Sequence, residues 1–305
     1  MNICQECSKE FSSERALHAH IKVHGLTLAE YYTRHFPRFS LYTGEPLAFK
    51  NKSDYFSKDF ANYNEFKSWI KRENDSVIKP YILQMLKKRI ELKELNFAPP
   101  HVELIIQEMA TAEMYKKYFG SYSSACSEIE CEPMFPNALP PEWHDLDTQD
   151  IEIFVDTREQ QPLEFKNSSN LKLEFGDYAV GGEHYDYTFV DRKGEQDFKS
   201  TLSKNNLERF REELKKTKEF DSYMFIVTES DLDAIYKNNK WSTHRSNLKY
   251  IYHNMRVLNH EFAGHCQFIF SGSREKSQEI IPKILMMGKK IWKTDLQYYI
   301  DKNLI

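Results

Sequence analysis

Three short apolar segments in the second half of the chain each run directly into acidic residues, and this pattern constrains the fold more than any other feature. The segments span residues 151–155, 171–175 and 187–190, and the residues that follow them are Asp156, the pair Gly176 and Asp177, and Asp191. Amphipathic helical patterns such as residues 206–220 follow, which is typical of an α/β domain. We therefore expect three adjacent strands that gather Asp156, Asp177, Asp191 and Lys193 at one edge of a sheet.

The acidic residues in this pattern indicate a site for a divalent cation. Carboxylates crowded at one edge repel one another unless a cation neutralises them, and hard oxygen ligands suit Mg²⁺ or Mn²⁺. Such an ion lowers the pKa of bound water, while Lys193 could orient that water or offset charge on a scissile phosphate. The pattern thus favours phosphodiester hydrolysis. Asp and Gly are also ordinary turn residues, and Gly176 with Asp177 alone would indicate only a turn.

The order of these motifs resembles the XPF-like nuclease family, whose signature is V-D-x-R-E, then G-D-Y, then E-R-K-x3-D. The matching residues are 155–159, 176–178 and 191–193 with Asp197, within a resemblance that covers roughly residues 151–273. The resemblance implies a restriction-endonuclease-like core at the C-terminus, a catalytic Mg²⁺ or Mn²⁺, and cleavage of DNA near branches, flaps or junctions. It also implies roles for six residues: metal ligands at Asp177, Asp191 and Asp156, a positioning ammonium group at Lys193, and support from Glu159 and Asp197.

Two departures from the family pattern leave parts of this prediction open. Asp191 stands where the family usually has Glu, although paired Asp ligands remain chemically sound. The C-terminus is too short for the paired helix-hairpin-helix modules of many relatives, so a homodimer or another protein partner stays open. A regulator or scaffold that binds DNA through a degenerate nuclease fold is the alternative function. RNA is also open as a substrate, because no element that reads a 2′-hydroxyl is identifiable.

The N-terminus carries a second metal-ligand pattern, C-x2-C-x12-H-x3-H, with apolar residues at two positions between the pairs: Cys4, Cys7, His20 and His24, with Phe11 and Leu17. This is the two-cysteine, two-histidine zinc finger pattern, in which Zn²⁺ supplies folding free energy that about 25 residues cannot. The base-reading positions fall on Ser13, Ala16 and Ala19, whose short side chains cannot make bidentate base contacts. We predict a structural Zn²⁺ and a nonspecific or structural finger.

The remaining patterns predict four regions: a zinc finger at 1–25, a mainly helical region at 26–131, a proline-rich linker at 132–147 and the nuclease domain at 148–305. Helical spacing in residues 66–70 and 81–90 supports the second region, and four prolines support the third. Basic residues at 87–89 and 93 could follow a DNA backbone or form a solvated surface. Cys126, Cys131 and His144 lack a clear fourth ligand, which indicates ordinary packing.

Bulk composition limits the class of protein rather than its function. The formal net charge of −4 argues against coating nucleic acid by bulk electrostatics. Five cysteines are an odd number for a disulfide framework, and zinc ligation requires reduced thiolates. No apolar run approaches the roughly 18 residues that span a bilayer. We expect a soluble intracellular protein, and residues 24–32 resemble the tail that follows such fingers in phage and mobile-element proteins, which adds a phage host cytoplasm to that expectation.

Overall fold

The computed structural model describes residues 2–305, and the chain divides into two compact units, Met1–Tyr81 and Ile82–Ile305. The division falls inside one long helix, Asp75–Lys93. Among residues 2–305, the structure has no helix whose length and apolar character would let it cross a bilayer. The predicted domain limits at residues 25, 131 and 147 stay a prediction.

The first unit begins with a two-stranded hairpin followed by short helices. Strands β1 (Asn2–Ile3) and β2 (Glu10–Phe11) pair antiparallel. The helices are α1 (Glu14–Ile21), α2 (Leu28–His35), α3 (Lys52–Ser57), α4 (Tyr63–Arg72) and the start of α5 (Asp75–Lys93). Ser13 caps α1 by accepting a hydrogen bond from the Ala16 N–H, and Thr27 with Glu30 forms a capping box on α2. Caps therefore define where the finger helix and its successor begin.

The second unit opens with helices, which confirms the helical patterns in the middle of the chain. After the rest of α5 come α6 (His101–Ile106), α7 (Ala112–Phe119) and α8 (Tyr122–Ser127). The proline-rich segment follows and packs onto this unit. Its Trp143 is buried in an apolar cluster, and the Asn137 N–H donates to the Lys293 carbonyl. The proline-rich segment is therefore a packed part of the second unit that connects its helices to its sheet.

A six-stranded mixed sheet forms the centre of the second unit, in the order β4-β3-β5-β6-β7-β8. The strands are β3 (Ile153–Asp156), β4 (Ser168–Leu171), β5 (Tyr178–Val180), β6 (Thr188–Lys193), β7 (Tyr223–Thr228) and β8 (Cys266–Phe270). Strand β5 runs antiparallel to both β3 and β6, while β6, β7 and β8 are parallel. The predicted α/β class with a restriction-endonuclease-like core is confirmed.

Helices cover both faces of this sheet. They are α9 (Glu195–Thr201), α10 (Leu207–Glu219), α11 (Leu232–Trp241), α12 (Leu248–Glu261), α13 (Arg274–Met287) and α14 (Leu296–Asp301). Alternate residues of β7 divide between two apolar clusters: Met224 and Ile226 pack in one that includes residues of α10 and α12, and Phe225 in one that includes residues of α13. A strand buried on both faces explains the continuous apolar run at 223–228. Because both faces of the sheet are covered by apolar clusters, polar side chains that are accessible to solvent lie at the strand ends.

The predicted strand at residues 171–175 is wrong. The observed strand is β4, which ends at Leu171, and the residues after it leave the ladder. Their backbone is held by side chains instead: the Leu173 N–H donates to Asp156 Oδ2 at 2.7 Å, and Arg158 donates to the Leu173 carbonyl at 3.1 Å. Asp177 therefore precedes a strand, β5, where the sequence pattern predicted that it follows one.

Candidate functional site

Backbone hydrogen bonds bring the predicted acidic residues together. The Asp156 N–H donates to the Asp177 carbonyl and the Asp177 N–H donates to the Val190 carbonyl, each at 2.8 Å. Gly176 makes this approach possible because its φ is +60° and a Cβ there would lie 2.7 Å from the Val190 carbonyl oxygen. These bonds link the end of β3, the residue before β5 and strand β6 through main chain.

Asp177 and Asp191 form the acidic centre of the site. Asp177 Oδ2 accepts a hydrogen bond from the Arg192 N–H at 2.7 Å. Burial and the nearby Asp191 carboxylate raise the pKa of Asp177 to about 8. Asp191 is buried, and the Lys193 ammonium lies 3.0 Å from its Oδ1 and 2.9 Å from its Oδ2. The two carboxylates thus share one neighbouring ammonium group.

Lys193 is the buried cation of this centre. Burial favours its neutral form, but the charge of Asp191 and the hydrogen bond to it more than offset that effect and raise the pKa of Lys193. Its Nζ also lies 3.9 Å from Asp197 Oδ2, and the Asp197 side chain is largely exposed. Lys193 is therefore an ammonium group at neutral pH, suited to orient a water or a phosphate rather than to accept a proton.

Asp156 lies beside the pair but is engaged with other groups. Arg158 Nε donates to its Oδ1 at 2.6 Å and Arg158 Nη2 donates to its Oδ2 at 3.0 Å. Burial alone would raise the pKa of Asp156, yet these hydrogen bonds and the backbone N–H groups of Arg158 and Leu173 lower it. Asp156 is thus ionised and oriented toward Arg158, and its predicted role as a third metal ligand stays a prediction.

Glu159 takes part in an ion-pair network at the entrance of the site. It lies 3.2 Å from Arg192, which in turn lies 3.0 Å from Glu229. Arg274 lies 3.3 Å from Glu229 and donates to the carbonyls of residues 161 and 162. Sequence reasoning missed Glu229 and Arg274. Glu229 directly follows β7, so the rule that drew attention to Asp156 and Asp191 could have found it.

Glu213 is a further acidic residue that sequence reasoning missed. It is partly buried on α10, and burial together with the charge of Asp191 raises the pKa of Glu213. It also interacts with the backbone N–H of Gly176. Its position three residues after the buried Phe210 places it on the helix face that covers the sheet, which is the only signal in the sequence.

The Asp177 and Asp191 carboxylates lie in an open cleft of about 980 Å³. The lining is polar and includes Asp177, Asp191, Lys193, Glu159 and Asp197, together with Asn238 and Ser242 from α11 and the loop after it. Five of the six predicted site residues therefore share one cleft, and Asp156 supports it through Arg158, which also lines it.

The chemistry of the centre fits a hard divalent cation. Burial and the nearby Asp191 carboxylate raise the pKa of Asp177, and Mg²⁺ or Mn²⁺ between these two carboxylates would neutralise their charge. The acidic side chains are not drawn into a compact set, however. Within residues 2–305, the one group of three or more His, Cys, Asp or Glu ligand atoms close enough to hold an ion is at the N-terminus.

That group is the predicted zinc site, Cys4, Cys7, His20 and His24, whose ligand atoms lie within 4.8 Å of one another. The Nε2 atoms of the two histidines are 3.1 Å apart, Cys7 Sγ is 3.2 Å from His20 Nε2, and Cys4 Sγ is 3.5 Å from His24 Nε2. Ligands at Zn–N and Zn–S distances around a tetrahedral ion would be about 3.4–3.8 Å apart. The four residues could hold zinc with little rearrangement.

The small core beside these ligands extends beyond the finger motif. Leu17 is buried and Phe11 packs against it, as predicted, but Tyr31 of α2 completes the cluster. The Tyr31 hydroxyl accepts a hydrogen bond from the Gln5 N–H at 2.8 Å. Cys126 is buried and Cys131 is partly exposed, and the ordinary packing expected for these two cysteines and His144 stays a prediction.

A mixed sheet with carboxylates and a lysine gathered at one strand edge defines a domain of the restriction-endonuclease-like class. The family comparison identifies it more closely: residues 142–284 match the ERCC4 domain. This match covers just under half of the chain, and it agrees with the resemblance to XPF-like nucleases that the sequence motifs indicated. No curated protein matches the sequence.

Two solved structures resemble part of the chain. XPF from Aeropyrum pernix shares 19% identity with a TM-score of 0.34, covering 45% of this chain and 63% of that one. XPF from the same organism in complex with DNA shares 18% identity with a TM-score of 0.35, covering 45% and 64%. This chain spans less than two thirds of the length of either structure.

Proposed function

We propose that this chain is a divalent-metal-dependent endonuclease that hydrolyses phosphodiester bonds in branched or otherwise structured DNA. The observation that carries the proposal is the carboxylate pair Asp177 and Asp191 beside the Lys193 ammonium, on one wall of an open polar cleft in the ERCC4 region. Neighbouring carboxylates in a cleft destabilise the folded protein. For this reason, carboxylates with a strongly shifted pKa are more typical of functional sites than of purely structural positions.

Asp177 and Asp191 would hold Mg²⁺ or Mn²⁺, with Asp156 as a third ligand. The bound ion would supply a water of lowered pKa and a counter-charge for the scissile phosphate. Lys193, fixed by Asp191, would hold that water or a phosphate oxygen by donating a hydrogen bond. Asp197, exposed at the mouth of the cleft, would interact with Lys193 as substrate enters.

Glu159 would act on the site through Arg192. Its ion pair with the Arg192 side chain holds the residue whose backbone N–H donates to Asp177 Oδ2. That hydrogen bond orients one oxygen of Asp177 and leaves the other toward the cleft. Glu159 is therefore proposed as a positioning residue, and its loss would weaken metal binding more than it slows the chemical step.

Cleavage of labelled DNA tests the proposal. The purified chain with Mg²⁺ or Mn²⁺ should cut at least one of a flap, a fork, a four-way junction and a plain duplex, and EDTA should abolish cutting. Asp177→Asn and Asp191→Asn should each lower the rate at least about 1,000-fold while DNA binding persists. Glu219→Gln, which changes an exposed carboxylate at the end of α10, is the matched control and should cut at the wild-type rate.

The same panel separates the alternatives. Binding to these substrates without turnover in any divalent cation would favour the regulator or scaffold with a degenerate nuclease fold. Cutting of the matched RNA substrate, with the DNA version left intact, would reassign the substrate class. Wild-type rates in both Asp177→Asn and Asp191→Asn would remove the proposed centre.

We also propose that Cys4, Cys7, His20 and His24 bind one structural Zn²⁺. The four ligand atoms form a closed set with no position left for a substrate, which is typical of structural sites. The short side chains at Ser13, Ala16 and Ala19 cannot make bidentate contacts with base edges. The finger would then help to hold substrate without reading its sequence.

A further inference from the structure

Trp241, the last residue of α11, has an unusual environment for a tryptophan. Its side chain is 80% exposed, whereas Trp69 and Trp143 are buried and Trp292 donates a hydrogen bond to Thr188. A single exposed apolar side chain is common on protein surfaces, so exposure alone decides nothing. The position of Trp241 relative to the candidate active-site cleft is the informative observation.

Trp241 stands at the rim of the candidate active-site cleft. Asn238, three residues earlier on the same helix, and Ser242, the next residue, both line that cleft with Asp177 and Asp191. Residues three apart on a helix lie on the same side, about 60° from each other, so the indole lies beside the cleft wall. Asn238 Nδ2 also donates to Glu195 Oε2 at 2.7 Å, which ties α11 to α9 just after the catalytic strand.

The surroundings of the indole are cationic. The Lys240 ammonium lies 5.5 Å from the centre of the Trp241 ring, and the exposed Arg245 follows in the next loop. Across the described part of the chain, no carboxylate pairs with Lys240 or Arg245. A flat aromatic face beside uncompensated positive charge matches a nucleotide that offers an open base face and a phosphate.

We propose that Trp241 stacks on an unpaired nucleobase of the DNA, so that it selects substrates with a single-stranded segment beside the cut. This inference rests on the proposed nuclease function and deepens it by naming the feature of the substrate that is recognised. Bases inside a duplex have both faces covered by their neighbours, so they cannot meet the indole. Lys240 and Arg245 hold the phosphates that flank the stacked base.

Binding to matched DNA probes tests the inference without relying on catalysis. The full chain carrying Asp177→Asn is titrated with a blunt duplex and with the same duplex bearing a short single-stranded overhang. Trp241→Ala should weaken binding to the overhang probe about 10-fold to 100-fold, and binding to the blunt duplex less than 2-fold. Trp241→Phe should keep most of the affinity, because phenylalanine also stacks. Indole fluorescence should fall when the overhang probe binds, since Trp241 is the tryptophan most exposed to it.

The matched control is Tyr236→Ala. Tyr236 is another exposed aromatic residue of α11, but it lies five positions from Trp241, about 140° around the helix, and about 160° from Asn238, which lines the cleft. Tyr236→Ala should leave the affinity for the blunt duplex and for the overhang probe unchanged.

Three outcomes would overturn the inference: equal weakening on both probes, no weakening on either, or a change in self-association with DNA binding intact. The last would make Trp241 a protein contact. Failure of the proposed function has a different signature. A chain that never cuts, yet loses overhang binding in Trp241→Ala, refutes the nuclease and keeps the stacking residue. If the chain cuts DNA and Trp241→Ala leaves binding to the overhang probe unchanged, the nuclease proposal stands and the stacking role of Trp241 is refuted.

Discussion

Asp177→Asn should make the metal-free protein more stable while it removes activity. The substitution keeps the shape of the side chain, and the amide oxygen can still accept the hydrogen bond from the Arg192 N–H. It removes one of the two carboxylates that burial and proximity place in conflict. A residue retained for catalysis at a cost in stability is expected to behave in this way.

The size of the effect follows from the pKa of Asp177. A carboxyl group whose pKa rises from 3.8 to about 8 destabilises its charged form by roughly 6 kcal/mol at most. Asp177 is only partly buried in an open cleft, so screening by water reduces this to about 2–3 kcal/mol. Because the folded protein binds the proton more tightly than the unfolded chain, stability is lost as pH rises from about 4 to 8. The advantage of the variant should therefore be small at pH 5 and full at pH 8.5.

Thermal unfolding in EDTA measures this advantage. At pH 8.5 the melting temperature of Asp177→Asn should exceed that of the wild type by roughly 5–10 °C. Saturating Mg²⁺ should raise the wild type more than the variant, because only the wild type has the full carboxylate pair to neutralise. Asp197→Asn is the control: its side chain is mostly exposed, and its melting temperature should stay within about 1–2 °C. If Asp177→Asn were no more stable than the wild type at pH 8.5, the inferred destabilisation by the Asp177 charge would be refuted.

Three further predictions concern other parts of the molecule. Gly176→Ala should lower the free energy of unfolding by about 3 kcal/mol and abolish cutting, because its Cβ would lie 2.7 Å from a backbone carbonyl; urea titration and the cleavage panel measure both. Glu103→Gln should cost about 3 kcal/mol in urea titration, because the buried Glu103 carboxylate lies 2.6 Å from both Arg89 and His260. Elemental mass spectrometry should find one Zn²⁺ per chain in the wild type and none in Cys7→Ser.

Elements encoded by local pattern were predicted well. The apolar run at residues 223–228 is β7, and the amphipathic pattern at 206–220 is α10, from Leu207 to Glu219. The predicted third strand at 187–190 corresponds to β6, which continues through Asp191 to Lys193. Periodicity is a property of the sequence itself, so nothing beyond it was needed.

What escaped prediction depends on contacts between distant residues. Residues 171–175 have the apolar character of a strand, but the Asp156 carboxylate binds the Leu173 N–H and takes that segment out of the sheet. Glu213 is one of two adjacent glutamates in a highly charged helix, and only packing decides that it faces Asp191. Tyr31 completes the finger core from outside the ligand motif.

The main-chain bonds that join Asp156, Asp177 and Val190 have a consequence for how such a protein can change over generations. Peptide geometry fixes the spacing of the residues proposed to hold the metal, so that spacing does not depend on the side chains of the outer helices. Substitutions around α11 should therefore change the proposed contacts with DNA while Asp156 and Asp177 keep their positions.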